Sequence, residues 1–375
     1  MQQKTDDFTI VYDFGNLYAG FLKARRGKRQ KYSVAKFEAN LLEALCLLSD
    51  LLKSGEYRPS EYYIFRVYEP KERIVMTNAF KDKVVQHSLC DNILEPAFSV
   101  SFIADNYASQ RGRGTHYGLY RLEDFMRSYY FERKAKSDAE RRAAGLPPVR
   151  AQDGGYANGW VLKCDISKYF YSIQHGPLKE MVRQYFRDPL LLWLIDLIID
   201  STENPGIPIG NQTSQWFAVM YLSGLDHFIK EKLGIRYYGR YMDDFYLIHE
   251  DKAYLQYCRR EIERYLAGLG LRLNNKTNIF PLKNGIDFLG FHTYLTDSGK
   301  VIRKVRRRSK CNEQRKLRKQ RKLLDAGKIT LAKVEQSYQS WRSHAAKGNC
   351  HHLIRETDKL FHDLFKESEA KWQKV

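Results

Sequence analysis

The sequence predicts an α+β fold in which antiparallel strands pack on helices and a helical, strongly basic part closes the chain. Three observations carry this. Apolar residues recur at three- and four-residue steps over 34–52 and again over 213–233, which is the pattern of amphipathic helices. Short runs rich in β-branched and aromatic residues are split by Pro, Gly or Asp, which reads as strand, turn, strand. Residues 300–322 hold 13 Lys or Arg among 23. Because Val301, Ile302, Val305, Leu317 and Leu323 interleave with that charge, the stretch reads as a folded helix with one phosphate-facing side.

In chain order, residues 1–60 form a helical extension whose helix over 34–52 stops at Gly55 and Pro59. Residues 61–159 begin with a strand pair around Pro70 and a helix from about Asp82 to Glu95. Their last part, 132–159, turns charged and then Gly- and Pro-rich, and reads as an inserted, mobile segment. Residues 160–299 open on the apolar strand "WVLKCDI", include helices near 180–212, and continue through the helix over 213–233, with a Thr or Ser cap. The segment "IRYYGRYMDDFYLIHED" then reads as a hairpin with Asp243 and Asp244 at its bend. Residues 300–375 are the basic helical part.

Composition narrows the partners. The chain has 375 residues, 43% of them hydrophobic, which is enough to bury a core without staples. Lys and Arg number 63 against 44 Asp and Glu, a formal charge of +19, so a polyanion is the expected partner: nucleic acid first, an anionic membrane second. The membrane is disfavoured. "MQQKTDDFTI" is no secretory signal, and the most apolar window, Pro189 to Asp200, is about half a membrane span and holds Asp196. Six scattered cysteines without a CxxC pair imply neither a disulfide framework nor a zinc cluster, so the cytoplasm is the expected compartment. Cys350-His351-His352 reads as surface rather than as a metal site.

The acidic residues that stand out are Asp165, at the end of an apolar strand, and the Asp243-Asp244 pair. An Asp pair alone suits an ordinary turn. If the two strands are neighbours, three carboxylates converge in a partly desolvated place and need protons or cations. Hard divalent ions, Mg2+ above all, fit oxygen ligands, and two of them make the clamp used for in-line phosphoryl transfer.

These residues resemble the reverse transcriptase core, in order and over most of the chain. "EPKERIVMTNAFKDKVVQHSL" (69–89) and "DNYASQRGRGTHYG" (105–118) resemble the two fingers blocks, "LKCDISKYFYSI" (162–173) the palm strand, and "GIPIGNQTSQ" and "YMDD" the blocks that follow. "LRLNNKTNIF" (271–280) and "IDFLGFHTY" (286–294) resemble the block that supplies a Lys near the incoming nucleotide and the primer-grip hairpin. The resemblance implies a right-hand polymerase: fingers over 61–159, palm over 160–299 with fingers helices near 180–212, and a thumb over 300–375 gripping the template-primer backbone. It implies two Mg2+ held by Asp165, Asp243, Asp244 and the carbonyl of Ile166, with Lys276 as general acid for the departing pyrophosphate. Nucleotide contacts would come from Arg73, Arg111 and Arg113 on the triphosphate, from Ile209, Gly210 and Gln215, and from Phe170, whose ring would exclude a 2′-hydroxyl. Phe288, Leu289 and Gly290 would form the primer grip.

In "IGNQTSQ", Ile209 and Gln215 stand where the family commonly has Gln and Pro. That variant, with "ARRGKRQKYSVAKFE" and "SYQSWRSHAAKGN", is similar to reverse transcriptases of diversity-generating retroelements, which copy a template RNA with errors at adenines. Template RNA, a primer or cDNA strand, dNTPs and a basic oligomeric accessory protein are the partners so implied. Retron and phage-defence reverse transcriptases share much of this core, and some polymerise without a template or from a protein primer. A catalytically idle nucleic-acid-binding protein is a further alternative, against which the intact Asp trio argues. No nuclease motif or RNase H-like cluster follows the basic part, so strand cutting is expected from elsewhere.

Overall fold

The computed structural model describes residues 6–68, 72–150 and 152–372. The N-terminal helices are α1 (Thr9–Tyr12), α2 (Phe14–Ala24), α3 (Tyr32–Ala39) and α4 (Leu41–Lys53). The helix expected over 34–52 is two helices, because Asn40 sits between them with φ −114° and ψ 37°, a non-helical conformation that its short polar side chain tolerates. Strands β1 (Tyr63–Val67) and β2 (Arg73–Thr77) pair antiparallel from Tyr63↔Thr77 to Val67↔Arg73, as the strand pair expected around Pro70; residues 69–71 lie outside the described residues. Next come α5 (Phe80–Leu89), which runs on through one π-helical turn (Cys90–Leu94) into α6 (Glu95–Ser99), and then α7 (Thr115–Ala143).

The 29-residue α7 overrides one expectation. Residues 132–143, read as the start of an inserted segment, are the last turns of this helix, because Tyr129 and Tyr130 bury its inward face while the charges that suggested a linker lie outward. Irregular chain begins only after Ala143.

The remaining elements are β3 (Trp160–Asp165), α8 (Tyr169–Ser172), α9 (His175–Val182), α10 (Pro189–Ile199), α11 (Gln212–Tyr221), α12 (Ser223–His227), β4 (Tyr237–Tyr241), β5 (Asp244–His249), α13 (Lys252–Gly268), β6 (Asn278–Pro281), β7 (Ile286–Phe288), β8 (Phe291–Leu295), β9 (Val301–Val305), α14 (Arg307–Asp325), α15 (Leu331–Ala345) and α16 (His351–Trp372). The helix expected over 213–233 starts at Gln212 after Asn211 and is interrupted at Leu222, and Thr213 and Ser214 are buried in its first turn rather than capping it. In the basic stretch, Val301, Ile302 and Val305 belong to strand β9, not to a helix. The alternation of Val301, Arg303 and Val305 has the period of two that a strand needs, and β9 pairs with β8 from Leu295↔Val301 to Phe291↔Val305. The helix α14 begins at Arg307 and buries Leu317.

The chain divides into two compact units. The first comprises residues 1–118, 162–247 and 253–278. In it α2 buries Leu17, Gly20, Phe21 and Ala24, and Phe21 meets Phe80 of α5 edge to face at 6.1 Å. Strand β5 lies between β4 and β3, and α13 buries the stripe Leu255, Cys258, Ile262, Leu266. The second unit comprises residues 119–161, 248–252 and 279–375. It has the three-stranded antiparallel sheet β7-β8-β9, one core of Leu119, Phe291, Val305, Ala345, Cys350 and Ile354, and another of Leu317, Val334, Tyr338 and Phe365. Cys350 is thus core rather than surface, its Sγ accepting the Val305 N–H at 3.3 Å. All six cysteines are free, and no helix among the described residues is long and apolar enough to cross a membrane.

Candidate active site

The hairpin expected around the Asp pair is β4 and β5, joined through Met242 and Asp243 and therefore antiparallel. Met242 takes φ +56°, the left-handed region that a non-Gly residue occupies only when its surroundings hold it there. The holder is Arg240. Its guanidinium is fully buried and donates from one nitrogen to the Met242 carbonyl at 3.0 Å. The other nitrogens reach the Asp226 carboxylate at 2.6 and 2.5 Å and the Val219 carbonyl at 3.2 Å. Asp226, equally buried on α12, also accepts from the Tyr238 hydroxyl at 2.5 Å and the Asn106 amide at 3.4 Å. Burial opposes the Arg240 charge, but Asp226 beside it outweighs that and raises its pKa further. On the backbone, Arg240 N–H donates to the Asp105 carbonyl and Arg240 C=O accepts from Tyr107 N–H, both at 2.9 Å. Gly239 precedes it because a Cβ there would lie 2.3 Å from the Tyr107 hydroxyl and 2.6 Å from that of Tyr246.

The turn so fixed places Asp243 beside the end of β3. Ile166 N–H donates to the Asp243 carbonyl at 3.3 Å, and Ile166 also bridges Leu273. Asp165 is held by its own backbone: its N–H donates to the Thr277 hydroxyl at 3.4 Å and its carbonyl accepts from Asn274 N–H at 2.7 Å. The Asp243 carboxyl is pushed up from the ordinary carboxylate range, first by burial and also by the negative charge of Asp165, while its own backbone N–H, Arg73 and Lys163 pull the other way. Of the expected trio, Asp165 and Asp243 therefore interact. Asp244 is ion-paired with Lys163 of the neighbouring strand β3. Lys163 gave no signal in the sequence beyond being one more cation in a +19 chain.

The other expected site residues separate into groups. Phe170 lies half-buried on α8, its carbonyl accepting from Ile207 N–H at 2.8 Å, and the next residue, Tyr171, donates its hydroxyl to the Ile74 carbonyl of β2 at 3.1 Å. Ile209 accepts from Met76 N–H at 2.9 Å. Gly210, at φ +138°, passes so close to β2 that a Cβ would lie 2.3 Å from the Met76 carbonyl oxygen, which excludes any side chain. Phe170, Ile209, Gly210 and Arg73 are thus tied to one another through α8, the loop over 206–211 and β2. Gln215 is exposed and within 3.5 Å of the Ser109 hydroxyl. Arg111 pairs with Glu95 at 2.8 Å, and Arg113 donates to the Ile103 carbonyl at 3.0 Å and the Gln110 side chain at 2.8 Å, so both are engaged in their own loop while Arg73 acts on Asp243. Lys276 is exposed on the loop that holds Asp165, its N–H donating to the Asn274 side chain at 3.1 Å. Phe288, Leu289 and Gly290 form the β7–β8 turn in the second unit, with Leu289 at φ +48° and Gly290 at φ +90°.

The sequence of residues 71–293 matches the family model for reverse transcriptases (RNA-dependent DNA polymerases). The chain belongs to the reverse transcriptase family. That family consists of RNA-directed DNA polymerases, which are nucleotidyltransferases, and its α+β right-hand fold class is the one the sequence predicts. The chain is also similar to Protein YkfC of Escherichia coli (strain K12), 26% identical over 326 residues that cover 74% of this chain and 75% of that protein. Among solved structures it resembles a truncated apo telomerase of Candida tropicalis, with a TM-score of 0.44 and 11% identity over 67% of this chain and 58% of that one. It also resembles a telomerase of Candida albicans bound to a fragment of telomeric RNA, with a TM-score of 0.40 and 12% identity over 67% of this chain and 47% of that one. The chain thus spans about half the length of these telomerases.

No three His, Cys, Asp or Glu side chains are grouped as a metal cage among the described residues. Asp165 and Asp243 fit a different kind of metal holding. Asp165 and the half-buried Asp243 are hard oxygen donors, and Mg2+ is ordinarily held by one or two carboxylates, with water and substrate phosphates completing its shell.

Two outcomes follow. Arg240→Met leaves the Asp226 charge buried without its partner and is expected to lower the unfolding free energy in urea by about 3–5 kcal/mol, whereas Tyr238→Phe removes one neutral donor and costs about 1 kcal/mol. A larger loss for Tyr238→Phe would mean that the tyrosine, not the guanidinium, carries Asp226. For Asp243 the folded pKa lies above the unfolded one, so its favourable contribution is present below the unfolded value of ~4 and is lost as pH rises through the folded value. In chelator at pH 7, Asp243→Asn is expected to raise Tm by about 1–3 °C, and the gain should vanish below about pH 4. A Tm that falls at pH 7 would show that the ionised carboxylate stabilises the fold.

Proposed function

We propose that the chain synthesises cDNA on an RNA template by two-metal nucleotidyl transfer. The observation that carries this reading is the half-buried Asp243, held beside Asp165 by the β4–β5 hairpin, in a protein of net charge +19. Bound Mg2+ would supply activation of the primer hydroxyl and charge stabilisation at the leaving pyrophosphate. Asp165, Asp243, Asp244 and the Ile166 carbonyl would hold it. Residues 61–159, 160–299 and 300–375 would serve as fingers, palm and thumb.

The chain's own residues divide the remaining work. Arg73, already acting on Asp243, would neutralise the triphosphate, and Lys276, on the loop that fixes Asp165, would protonate the departing pyrophosphate. Phe170 would block a 2′-hydroxyl, its ring held by the packing of α8 on the loop from Gly206. Phe288, Leu289 and Gly290 would position the primer end. Template RNA, primer and dNTPs are the partners, with a basic accessory protein as a further one.

The finer reading is an error-prone enzyme of a diversity-generating retroelement. Ile209 supports it physically: its carbonyl is committed to Met76, and its apolar side chain offers the base no hydrogen bond where the family commonly has an amide. Discrimination that depends on a hydrogen bond is far stronger than discrimination by shape alone.

Primer extension with RNA template, dNTPs and Mg2+ tests the whole reading. The wild-type chain should make DNA and Asp243→Asn none; synthesis by the variant would remove Asp243 from the site. Phe170→Val should raise ribonucleotide use relative to deoxynucleotides about 10- to 100-fold, and an unchanged ratio would place the sugar gate elsewhere. Ile209→Gln should lower misincorporation opposite template adenine, as read by sequencing the product. An unaltered error spectrum would remove Ile209 from base selection.

A further inference from the structure

Between Lys23 and Lys36 the chain carries seven Lys or Arg and no carboxylate. Such a run is ordinarily just a solvated surface. This one stands on a rigid base. Helices α2, α3 and α5 are joined by Phe21, Phe37 and Phe80, with ring centroids 5.8 Å apart for the first pair and 5.2 Å for the second. The loop between α2 and α3 is itself ordered, Lys28 N–H donating to the Arg25 carbonyl at 2.9 Å and Lys31 N–H to the Lys28 carbonyl at 3.0 Å. Glu38 takes both Arg25 and Arg29, the latter at 2.9 Å, and so is fully engaged.

What remains is a set of cations without counter-charge. Among the described residues, Arg26, Lys28, Lys31 and Lys83 of α5 form no ion pair, and the first three are exposed. Lys83 is lowered from the ordinary lysine range by burial first and then by the charges of Lys28 and Lys31, so these three ammonium groups repel one another. Its one acidic neighbour, Asp82, is committed to the Tyr57 hydroxyl at 2.8 Å and the Ser60 N–H at 3.2 Å. Next to them, at the start of α3, Tyr32 is 81% exposed. A free aromatic ring beside unpaired cations is the combination that takes unpaired bases and their phosphates in loops and single strands of RNA.

We infer that this face of α2, α3 and α5 is an RNA-binding site made by residues other than those around Asp243, in which Lys28, Lys31 and Lys83 take backbone phosphates and Tyr32 stacks on an unpaired base. It would hold a folded part of the template RNA that is not being copied. The inference rests on the reading that the chain handles RNA, not on its making DNA.

The test uses the full chain carrying Asp243→Asn, which binds without synthesis, and an RNA hairpin with a single-stranded loop, without primer or dNTPs. Fluorescence anisotropy over a salt series gives affinity and its salt slope. Lys28→Gln combined with Lys31→Gln should weaken binding about tenfold at low salt and flatten the slope of log affinity against log salt by about 2. Tyr32→Ala should weaken binding about fivefold or more and leave the slope unchanged. These positions are exposed, so Tm should stay within about 1 °C of the parent. Unchanged affinity and slope would overturn the inference. An equal loss on a DNA hairpin of the same sequence would overturn the assignment to RNA, and a loss confined to binding of an acidic peptide would assign the face to a protein partner instead. Were the wild-type chain to make no DNA while these losses appeared, the polymerase reading would fall and this inference would stand.

Discussion

The buried pair of Arg240 and Asp226 is the interaction on which the site depends. A charge taken out of water is unfavourable by several kcal/mol unless its geometry is complete, and here it is: every guanidinium nitrogen has an acceptor, and the carboxylate has four donated hydrogen bonds. A hydrophobic pair of equal volume would fill the same space. It could not, however, donate to the Met242 carbonyl, and that bond restrains a residue in left-handed backbone two positions from Arg240. The pair therefore contributes specificity of conformation. Without it the hairpin has the usual freedom of a two-residue turn, and Asp243 has no fixed height relative to Asp165.

The same chain of contacts explains why the site is strained in charge as well as in backbone. Fixing Asp243 near Asp165 in a place that is partly shielded from water pushes its carboxyl toward the protonated form. Lys163 and Arg73 relieve this only in part. Lys163 is drawn to Asp244, and Arg73 lies on an exposed strand where its charge is screened. The fold thus maintains an arrangement that is unfavourable by itself, which is the expected condition of a site that waits for a cation.

Much of this was legible in the sequence, for physical reasons that differ from element to element. The hairpin showed because an Asp pair between two apolar runs has few other conformations, and the β1–β2 pair showed because Ile, Val, Phe and Tyr cluster there with a Pro between. Asp165 and Asp243 followed from the strand ends on which they sit. Arg240 was invisible. In a chain with 63 cations one more Arg beside a turn reads as surface, and only tertiary packing shows that it is enclosed. The partner of Asp244 was equally hidden, since nothing in the sequence marks Lys163 of β3 as the cation it meets. The β9 strand and the last turns of α7 were hidden by charge: Arg303, on the same face as Val301 and Val305, with the exposed Lys304 beside it, and the alternating charges of 132–143, mask the periods of two and of 3.6.

Charge also bears on the order in which the substrates would arrive. Even with all three carboxylates ionised, Asp165, Asp243 and Asp244 set against Lys163 and Arg73 would leave one net negative charge, which is little for holding a bare divalent ion that gives up its water reluctantly. A nucleotide triphosphate changes that balance, because its oxygens complete the metal's shell while Arg73 is free to leave Asp243 for phosphate. Metal and nucleotide would then bind with mutual assistance rather than independently, each supplying the charge that the other lacks. The Lys163–Asp244 pair would favour this, since it offsets one of the carboxylate charges near the site.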